Sequence, residues 1–421
     1  MYTSTGKTNE VIVIGGGAAG MLAALFAARN GASVTLLEKN EKLGKKVYIT
    51  GKGRCNCTNL CDTQDFLQEV PRNPRFLYSA LKLLNPEGLL QLLKELGCET
   101  KIERGRRAFP VSDHASDITR AFEKGMRQAG VKIRFHAAVK AILRAENRVT
   151  GVQLTNGETL PAGAVIVCTG GLSYPSTGST GDGYVWARET SHPVTACRPS
   201  LVGLETQETW PTQLQGLTMK NICLNARSCG KIIYSEQGET LFTHYGISGP
   251  LAIECSAHLP DDLPVSVTLD LKPGLTEDQL QKRLARELTA AGKKQLATVL
   301  QSLLPSRFAA LFPLLCGVEG KTPCSQVSGK MRTQIVQTFK ALPLTVTGTR
   351  DYREAIITRG GVDVKSLNAA TMESKNVSGL YFAGEVIDVD AHTGGYNLQI
   401  AWSTGALAGK SAANRALSEQ A

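Results

Sequence analysis

Three glycines and a glutamate carry the first chemical signal in this 421-residue chain. Gly15, Gly17 and Gly20 stand in the order G-x-G-x-x-G, directly after the apolar run VIVI at 11–14 and at the start of the helix-forming stretch MLAALFAARN. Glu38 closes the next apolar run, SVTLLE. That context makes the spacing a dinucleotide fingerprint: the first glycine permits the turn, Gly17 lets the backbone approach a pyrophosphate, and Gly20 lets helix and strand pack closely. Ala18 and Ala19 lie at the helix N-terminus, whose unpaired N–H groups and partial positive charge attract phosphates. Glu38 is placed to accept hydrogen bonds from an adenosine ribose with an unphosphorylated 2′-OH.

The fingerprint alone fits NAD and FAD equally. The segment TGKGRCNCTN at 50–59 favours the flavin dinucleotide: Gly51 and Gly53 sit beside Arg54, Cys55 and Asn56, residues suited to winding backbone along a long, polar, anionic ligand. Further glycine loops at Thr169-Gly170-Gly171, at 174–184, at 383–388 and at 394–399 repeat the pattern, as an elongated cofactor requires. Only one fingerprint is present, so a nicotinamide donor would dock transiently or be replaced by another electron source. His244, in the loop FTHYGISGP, is either a proton donor or substrate ligand, or a structural histidine of a tight loop. Tyr245 and Tyr396 are further candidates for the acid. Cys55, Cys57 and Cys61 form C-x-C-x-x-x-C, which lacks the paired spacing of a zinc site, and no metal is expected.

The elements that must position these residues follow from periodicity. Strand, glycine turn, helix and strand make a complete βαβ unit between residues 11 and 38, with Gly31 as the helix C′ residue. A helical pattern runs from Asn73 to Gly97, and Ser112 or Asp113 is placed to cap a second helix reaching Gly130. Strands resume with VKIRF, AAVKAILRAE, RVTGVQL and ETL, turned at Asn156-Gly157, before the buried run AVIVCTG. From about 199 to 271 short alternation predicts a small antiparallel sheet or barrel. Thr276 to Gln279 is then a capping box that opens a helical stretch to about 341. The last strand, LYF, leads through a polar loop to a helix from about Gly395 to Ala413.

Six ordered motifs give the chain a wider likeness: GGGAAG; KLGKK with GKGRCNCTN; GRRAFPVSDHAS; TGGLSYPSTGSTGDGY; LFTHYGISGP; and TMESKNVSGLYFAGEVIDVDAHTGGYNLQIAWSTG. With them it resembles the BaiN-like (YhiN-like) flavoproteins, also called aminoacetone-oxidase-type FAD-binding enzymes. The resemblance implies an α/β fold with a Rossmann-like FAD-binding domain assembled from both chain ends, 1–196 and 354–421. An antiparallel β-barrel, 197–273 and 342–353, and a helical subdomain, 274–341, would be inserted between them. It implies that Glu38 holds the adenosine ribose and that Arg54, Cys55 and Asn56 lie along the pyrophosphate and flavin. Asp388 would meet the ribityl chain or pyrophosphate. Gly395, Tyr396, Asn397 and Leu398 would open a helix whose N–H groups face flavin N1 and the C2 carbonyl. Lys39, Lys46, Val139, Asp182, Gly384 and Glu385 complete the expected cofactor shell. Lys52 stands where many members have glycine, and Cys57 where a residue without a thiol is common.

Composition sets the outer bounds. With 42% hydrophobic and 20% charged residues this is an ordinary globular chain long enough for several domains, and a lone binding module is excluded. No apolar run of membrane-spanning length and no signal peptide occurs, so a cytoplasmic protein with eleven reduced cysteines is expected. The net charge of +10 is uneven: residues 1–198 carry +9 and 274–341 carry +6, against −4 for 199–273 and −1 for 342–421. Cofactor diphosphate accounts for part of the first excess. The second, with Lys282, Arg283, Arg286, Lys293, Lys294, Lys330 and Arg332, is either an RNA-backbone surface or a solvated helix face. The resemblance implies reduction of a C=C bond conjugated to a carbonyl, with electrons from NAD(P)H or another donor. The substrate would be a small unsaturated compound or uridine in ribosomal RNA. An oxidase of a small amino ketone such as aminoacetone and a non-enzymatic flavin sensor remain the competing classes. Oligomeric state is not legible from the sequence.

Overall fold

The computed structural model describes residues 9–418 and contains two compact units, Met1–Ser200 with Tyr352–Ala421, and Leu201–Asp351. The first unit is built on a five-stranded parallel sheet. Its strands are β1 (Glu10–Ile14), β2 (Ser33–Leu37), β3 (Lys132–Arg134), β4 (Ala164–Val167) and β5 (Leu380–Phe382), in the order β5-β4-β1-β2-β3. The runs VIVI, VTLL, AVIV and LYF are buried throughout, as parallel strands covered on both faces require. The chain leaves β1 towards β2 on one side and later returns to β4 on the other. The crevice at the carboxyl ends of β1 and β4 is therefore the topological switch point, where α/β sheets bind ligands.

Two helices follow strands of this sheet. Helix α1 (Ala18–Arg29) is alanine-rich and follows the glycine turn; a second, α2 (Asp182–Glu189), follows β4. Helix α3 (Tyr396–Ser418), which ends five residues later than the sequence predicts, packs along α1 through small residues. A Cβ at Gly405 would overlap the Ala19 carbonyl oxygen, and one at Gly409 that of Ala23, so the two backbones approach as closely as glycine allows. The N-terminal βαβ unit and the C-terminal strand and helix thus form one core.

The helical region after Asn73 breaks before Pro86 into Tyr78–Leu83 and Pro86–Glu95, with Asn85 capping the second through Gly88 N–H at 2.8 Å. The next helix, Ala115–Gln128, departs from the sequence expectation: neither Ser112 nor Asp113 caps it, and the chain enters through His114 without a side-chain cap. Asp113, at φ 60°, gives its carboxylate to Arg54 and Lys101 instead.

A buried histidine links this core to pH. His192 places Nδ1 2.9 Å from Thr190 Oγ1 and Nε2 2.7 Å from Ser374 Oγ, with its ring 5.1 Å from that of Phe382 on β5. Burial holds its pKa below the usual histidine value. The unfolded chain therefore takes up the proton first, and stability present above the unfolded value of about 6.5 is lost as pH falls below it. Urea midpoints are expected to drop between about pH 6.5 and 5 in the wild type and less steeply in His192→Gln. Superimposable pH profiles would count against this origin.

The second unit contains a closed six-stranded antiparallel barrel, in the order Leu204–Thr206, Gly246–Ser248, Lys231–Phe242, Thr218–Ser228, Val265–Asp270 and Leu342–Thr349. Helices Glu277–Ala291, Ser306–Leu315 and Gly329–Lys340 lie between the last two strands in sequence. The first of them begins with the capping box read from the sequence, Thr276 accepting from Gln279 N–H and Gln279 from Thr276 N–H. This unit has its own core, with Phe308, Phe312 and Phe339 at its centre. No helix among the described residues is long and apolar enough to cross a membrane.

Candidate cofactor site

At the end of β1 the three glycines do different work. A Cβ on Gly20 would overlap the Gly15 carbonyl oxygen, so glycine is required for α1 to start this close to the turn. A Cβ on Gly17 would meet nothing within 4 Å, leaving the loop open at the helix N-terminus where Ala18 and Ala19 begin α1. Glu38, 6% exposed, closes the side of this loop: Oε2 accepts from Gly16 N–H at 2.7 Å, and Oε1 from Asn40 N–H at 2.8 Å and Nδ2 at 2.7 Å. Its carbonyl accepts from Ala137 N–H at 2.9 Å, which brings the half-buried Val139 to the same end of the sheet.

The 50–59 segment folds as a chain of left-handed residues, with φ near +57° at Gly51, +58° at Lys52, +87° at Gly53 and +59° at Cys55. Lys52 pays for its side chain in backbone strain. Lys52→Gly is expected to raise stability by about 1 kcal/mol, read as a higher urea midpoint at unchanged slope. Cys55 and Cys57 are fully buried; burial pushes the Cys55 thiol up to about 12 and raises Cys57 too, so both are inert thiols at neutral pH. All eleven cysteines are free, and no group of three His, Cys, Asp or Glu among the described residues is arranged to hold a metal ion.

Helix α3 is fastened to this segment although more than half the chain separates them. Thr58 Oγ1 donates to Gln399 Oε1 at 2.6 Å, Trp402 Nε1 donates to the Cys57 carbonyl at 3.0 Å, and Asn59 Nδ2 donates to the Gly394 carbonyl at 3.2 Å. Gly395, at φ 106°, lies against Thr58, whose carbonyl carbon would be 2.5 Å from a Cβ there. The first turn of α3, with Tyr396, Asn397 and Leu398, is thereby held beside residues 57–59. Asn397 spends its side chain on the preceding loop, accepting from Ala391 N–H and donating to the Ala391 and His392 carbonyls, so only its backbone is left for a ligand. Tyr396 stacks edge-on against Phe66 at 5.2 Å, and burial raises its pKa, keeping the hydroxyl protonated.

Two ion pairs close the remaining flank. Lys39 Nζ lies 2.7 Å from Asp182 at the start of α2, and Lys46 Nζ lies 2.6 Å from Glu385, which follows Gly384 at the end of β5. The Gly384 N–H donates to Thr404 Oγ1 of α3 at 3.0 Å. Gly170 takes φ 71° beside Thr169. The Arg54 guanidinium bonds Glu103 and Asp113 and stacks 4.2 Å from the Phe109 ring. Sequence reasoning missed those two carboxylates, and also Glu69, Arg72 and Asn73, which bind the 388–392 loop. His244 belongs to the barrel unit, exposed in the turn after Phe242 with its ring 5.0 Å from Tyr245.

Among the described residues of the first unit, four buried side-chain oxygens have no protein partner: Asn56 Oδ1, Thr169 Oγ1, Ser200 Oγ and Asp388 Oδ1. Asn56 and Asp388 sit in loops that follow a glycine motif, Thr169 directly precedes Gly170-Gly171, and Ser200 ends the strand Val194–Ser200. Buried polar atoms rarely go unpaired, so orphans together with open space over Gly17 and a helix N-terminus fit a long polar dinucleotide. FAD supplies two-electron redox chemistry when bound there.

The family described as HI0933-like protein Rossmann domain matches residues 9–411. The chain belongs to that HI0933-like family. The likeness to BaiN-like flavoproteins read from the motifs agrees: the chain is 32% identical over 416 residues to a 3-dehydro-bile acid delta(4,6)-reductase of Clostridium scindens, covering 97% of this chain and 100% of that protein. It is 34% identical over 401 residues to a ribosomal RNA dihydrouridine synthase of Haemophilus influenzae, covering 94% and 96%. Among solved structures, a 3-ketosteroid-delta4-(5alpha)-dehydrogenase of Rhodococcus jostii RHA1 shares the fold, with a TM-score of 0.52 at 14% identity over 98% of both chains. This member of the HI0933-like family is an FAD-dependent oxidoreductase of Rossmann fold, and its chemistry requires an electron partner and a substrate.

Proposed function

We propose that the protein reduces an activated C=C bond of an unsaturated carbonyl compound with electrons from NAD(P)H. The observation that carries this is the first turn of α3, held against residues 57–59 by Thr58, Asn59, Gln399 and Trp402. A helix N-terminus there stabilises the negative charge of a reduced flavin, the form that must persist until an acceptor arrives. Delta(4,6)-reduction and dihydrouridine synthesis, the activities in the relatives' names, are one reaction type: a C=C bond beside a carbonyl gains a hydride at the β-carbon and a proton at the α-carbon. The donor loses two electrons, so the balance closes.

In this reading Glu38 holds the adenosine ribose, and residues 15–20 receive the diphosphate. Asp388 takes ribityl hydroxyls, because a carboxylate accepts from a hydroxyl but repels a phosphate. Lys39, Lys46, Val139, Asp182 and Glu385 shape the walls. His244 or Tyr396 gives the proton; Tyr396 suits the role in being fully protonated at neutral pH. Anaerobic stopped-flow tests the assignment. NADH or NADPH should bleach the bound flavin, and a steroid enone should restore its colour faster than oxygen does. Reoxidation by oxygen alone, with aminoacetone as the reductant, would establish the oxidase instead.

Ribosomal RNA is the second reading, favoured by the helical segment 274–341, where Arg286, Lys293, Lys294 and Lys330 are exposed. Part of that charge is neutralised locally, Lys282 by Asp278 and Arg283 by Glu287. Turnover on RNA that collapses as salt rises, with none on free enones, would replace the first reading by the second.

A further inference from the structure

A short segment before the helical region grips the loop that leads into α3, from 315 to 323 residues earlier in the chain. Asp390, 3% exposed, receives both arms of Arg72, Nε at 3.0 Å and Nη2 at 2.5 Å. Asn73 Nδ2 donates to the Asp388 carbonyl at 2.7 Å. Glu69 takes His392 twice: its carbonyl accepts from His392 N–H at 3.0 Å, and its Oε2 lies 2.9 Å from His392 Nδ1. Every second residue from 388 to 392 is thus tied to one stretch of five, and Asn397 closes the far end of the loop. None of these ties uses Asp388 Oδ1, which stays buried and unpartnered.

We propose that Glu69, Arg72 and Asn73 are positioning residues for the flavin. They clasp the 388–392 loop in its cofactor-holding form before FAD arrives, and so set FAD affinity and the electrostatic setting of the bound flavin. The proposal rests on the assignment of Asp388 and the first turn of α3 to FAD. Ordering a loop in advance removes that entropy cost from the binding step. A forked pair to a buried carboxylate fixes orientation as well as charge.

The test uses deflavinated full-length protein titrated with FAD, with the apoprotein's melting temperature and the holoprotein's midpoint potential as further readouts. Asn73 has φ 55°, which glycine adopts freely, so Asn73→Gly keeps the turn and removes only the bond to Asp388. Its FAD Kd is expected to rise about fivefold, with the apoprotein melting temperature unchanged. Arg72→Gln is expected to weaken FAD by about tenfold or more, and Arg72→Lys, which keeps the charge but not the fork, by less. In Asn73→Gly and Arg72→Gln the flavin potential shifts negative, since the positive pole of α3 is held less firmly. Asp388→Ala is the reference. If it loses FAD affinity while Asn73→Gly and Arg72→Gln bind as wild type does, the clasp is wrong and the loop assignment stands. If all three bind as wild type does, both are wrong. Affinity losses matched by equal losses of apoprotein stability, at an unchanged potential, would make these ordinary fold contacts and overturn the proposal.

Discussion

Gly20→Ala is expected to yield protein almost free of flavin and destabilised by about 1–3 kcal/mol. The new methyl would overlap the Gly15 carbonyl oxygen and stand 3.4 Å from the Cys168 side chain, so α1 must move off the strand that positions it. Both groups it meets belong to the turn and the end of β4, where no flexible side chain can swing aside. Gly17→Ala is the matched control. Its methyl meets no protein atom within 4 Å, and Gly17 already has φ −78°, so apoprotein stability should hold while FAD affinity falls. Visible absorbance of the purified proteins and urea melts of their apo forms separate the two outcomes. A flavin-loaded, fully stable Gly20→Ala protein would contradict the tight packing of helix on turn.

Glu38→Ala is expected to weaken FAD by roughly 100-fold, or about 3 kcal/mol. Two losses add: the buried Gly16 N–H forfeits its acceptor, and the ribose hydroxyls lose a charged one. Asn40 is released as well, since its N–H and amide both bond Glu38. Glu38→Gln keeps an acceptor in place and should fall between wild type and alanine. Fluorescence titration of apoprotein measures all three, and equal affinities across them would remove the ribose role from Glu38.

Local pattern carried much of the fold. The βαβ unit, Gly31 after α1, the hairpin at Asn156-Gly157 and the capping box at Thr276 are decided by residues within one or two turns of each other, and each is found where periodicity predicts it. What sequence could not show is which partner a polar side chain chooses. Arg54 sits in a glycine motif and reads as an anion ligand, yet the small sheet of Thr100–Glu103 and Arg107–Pro110 puts Glu103 in its reach, and Asp113 follows. That choice also removed the cap expected for the helix at Ala115. The side-chain amide of Asn397 is consumed by its own loop, which leaves its backbone N–H, the group expected to face the flavin. The grip of Arg72 on Asp390 has no local signature, because the two are 318 residues apart.

The closeness of α1 and α3 has a consequence in time. The glycines that admit the Ala19 and Ala23 backbones lie at 405 and 409, whereas the barrel unit is contiguous from Leu201–Asp351. On a ribosome, the barrel unit can close while the partner of α1 is still unsynthesised. At about 5–20 residues per second, α1 and its strands wait roughly 20–75 seconds for their final cover. Flavin capture therefore waits for α3, and a stall before it is made would leave a folded barrel tethered to an apolar, unfinished Rossmann sheet.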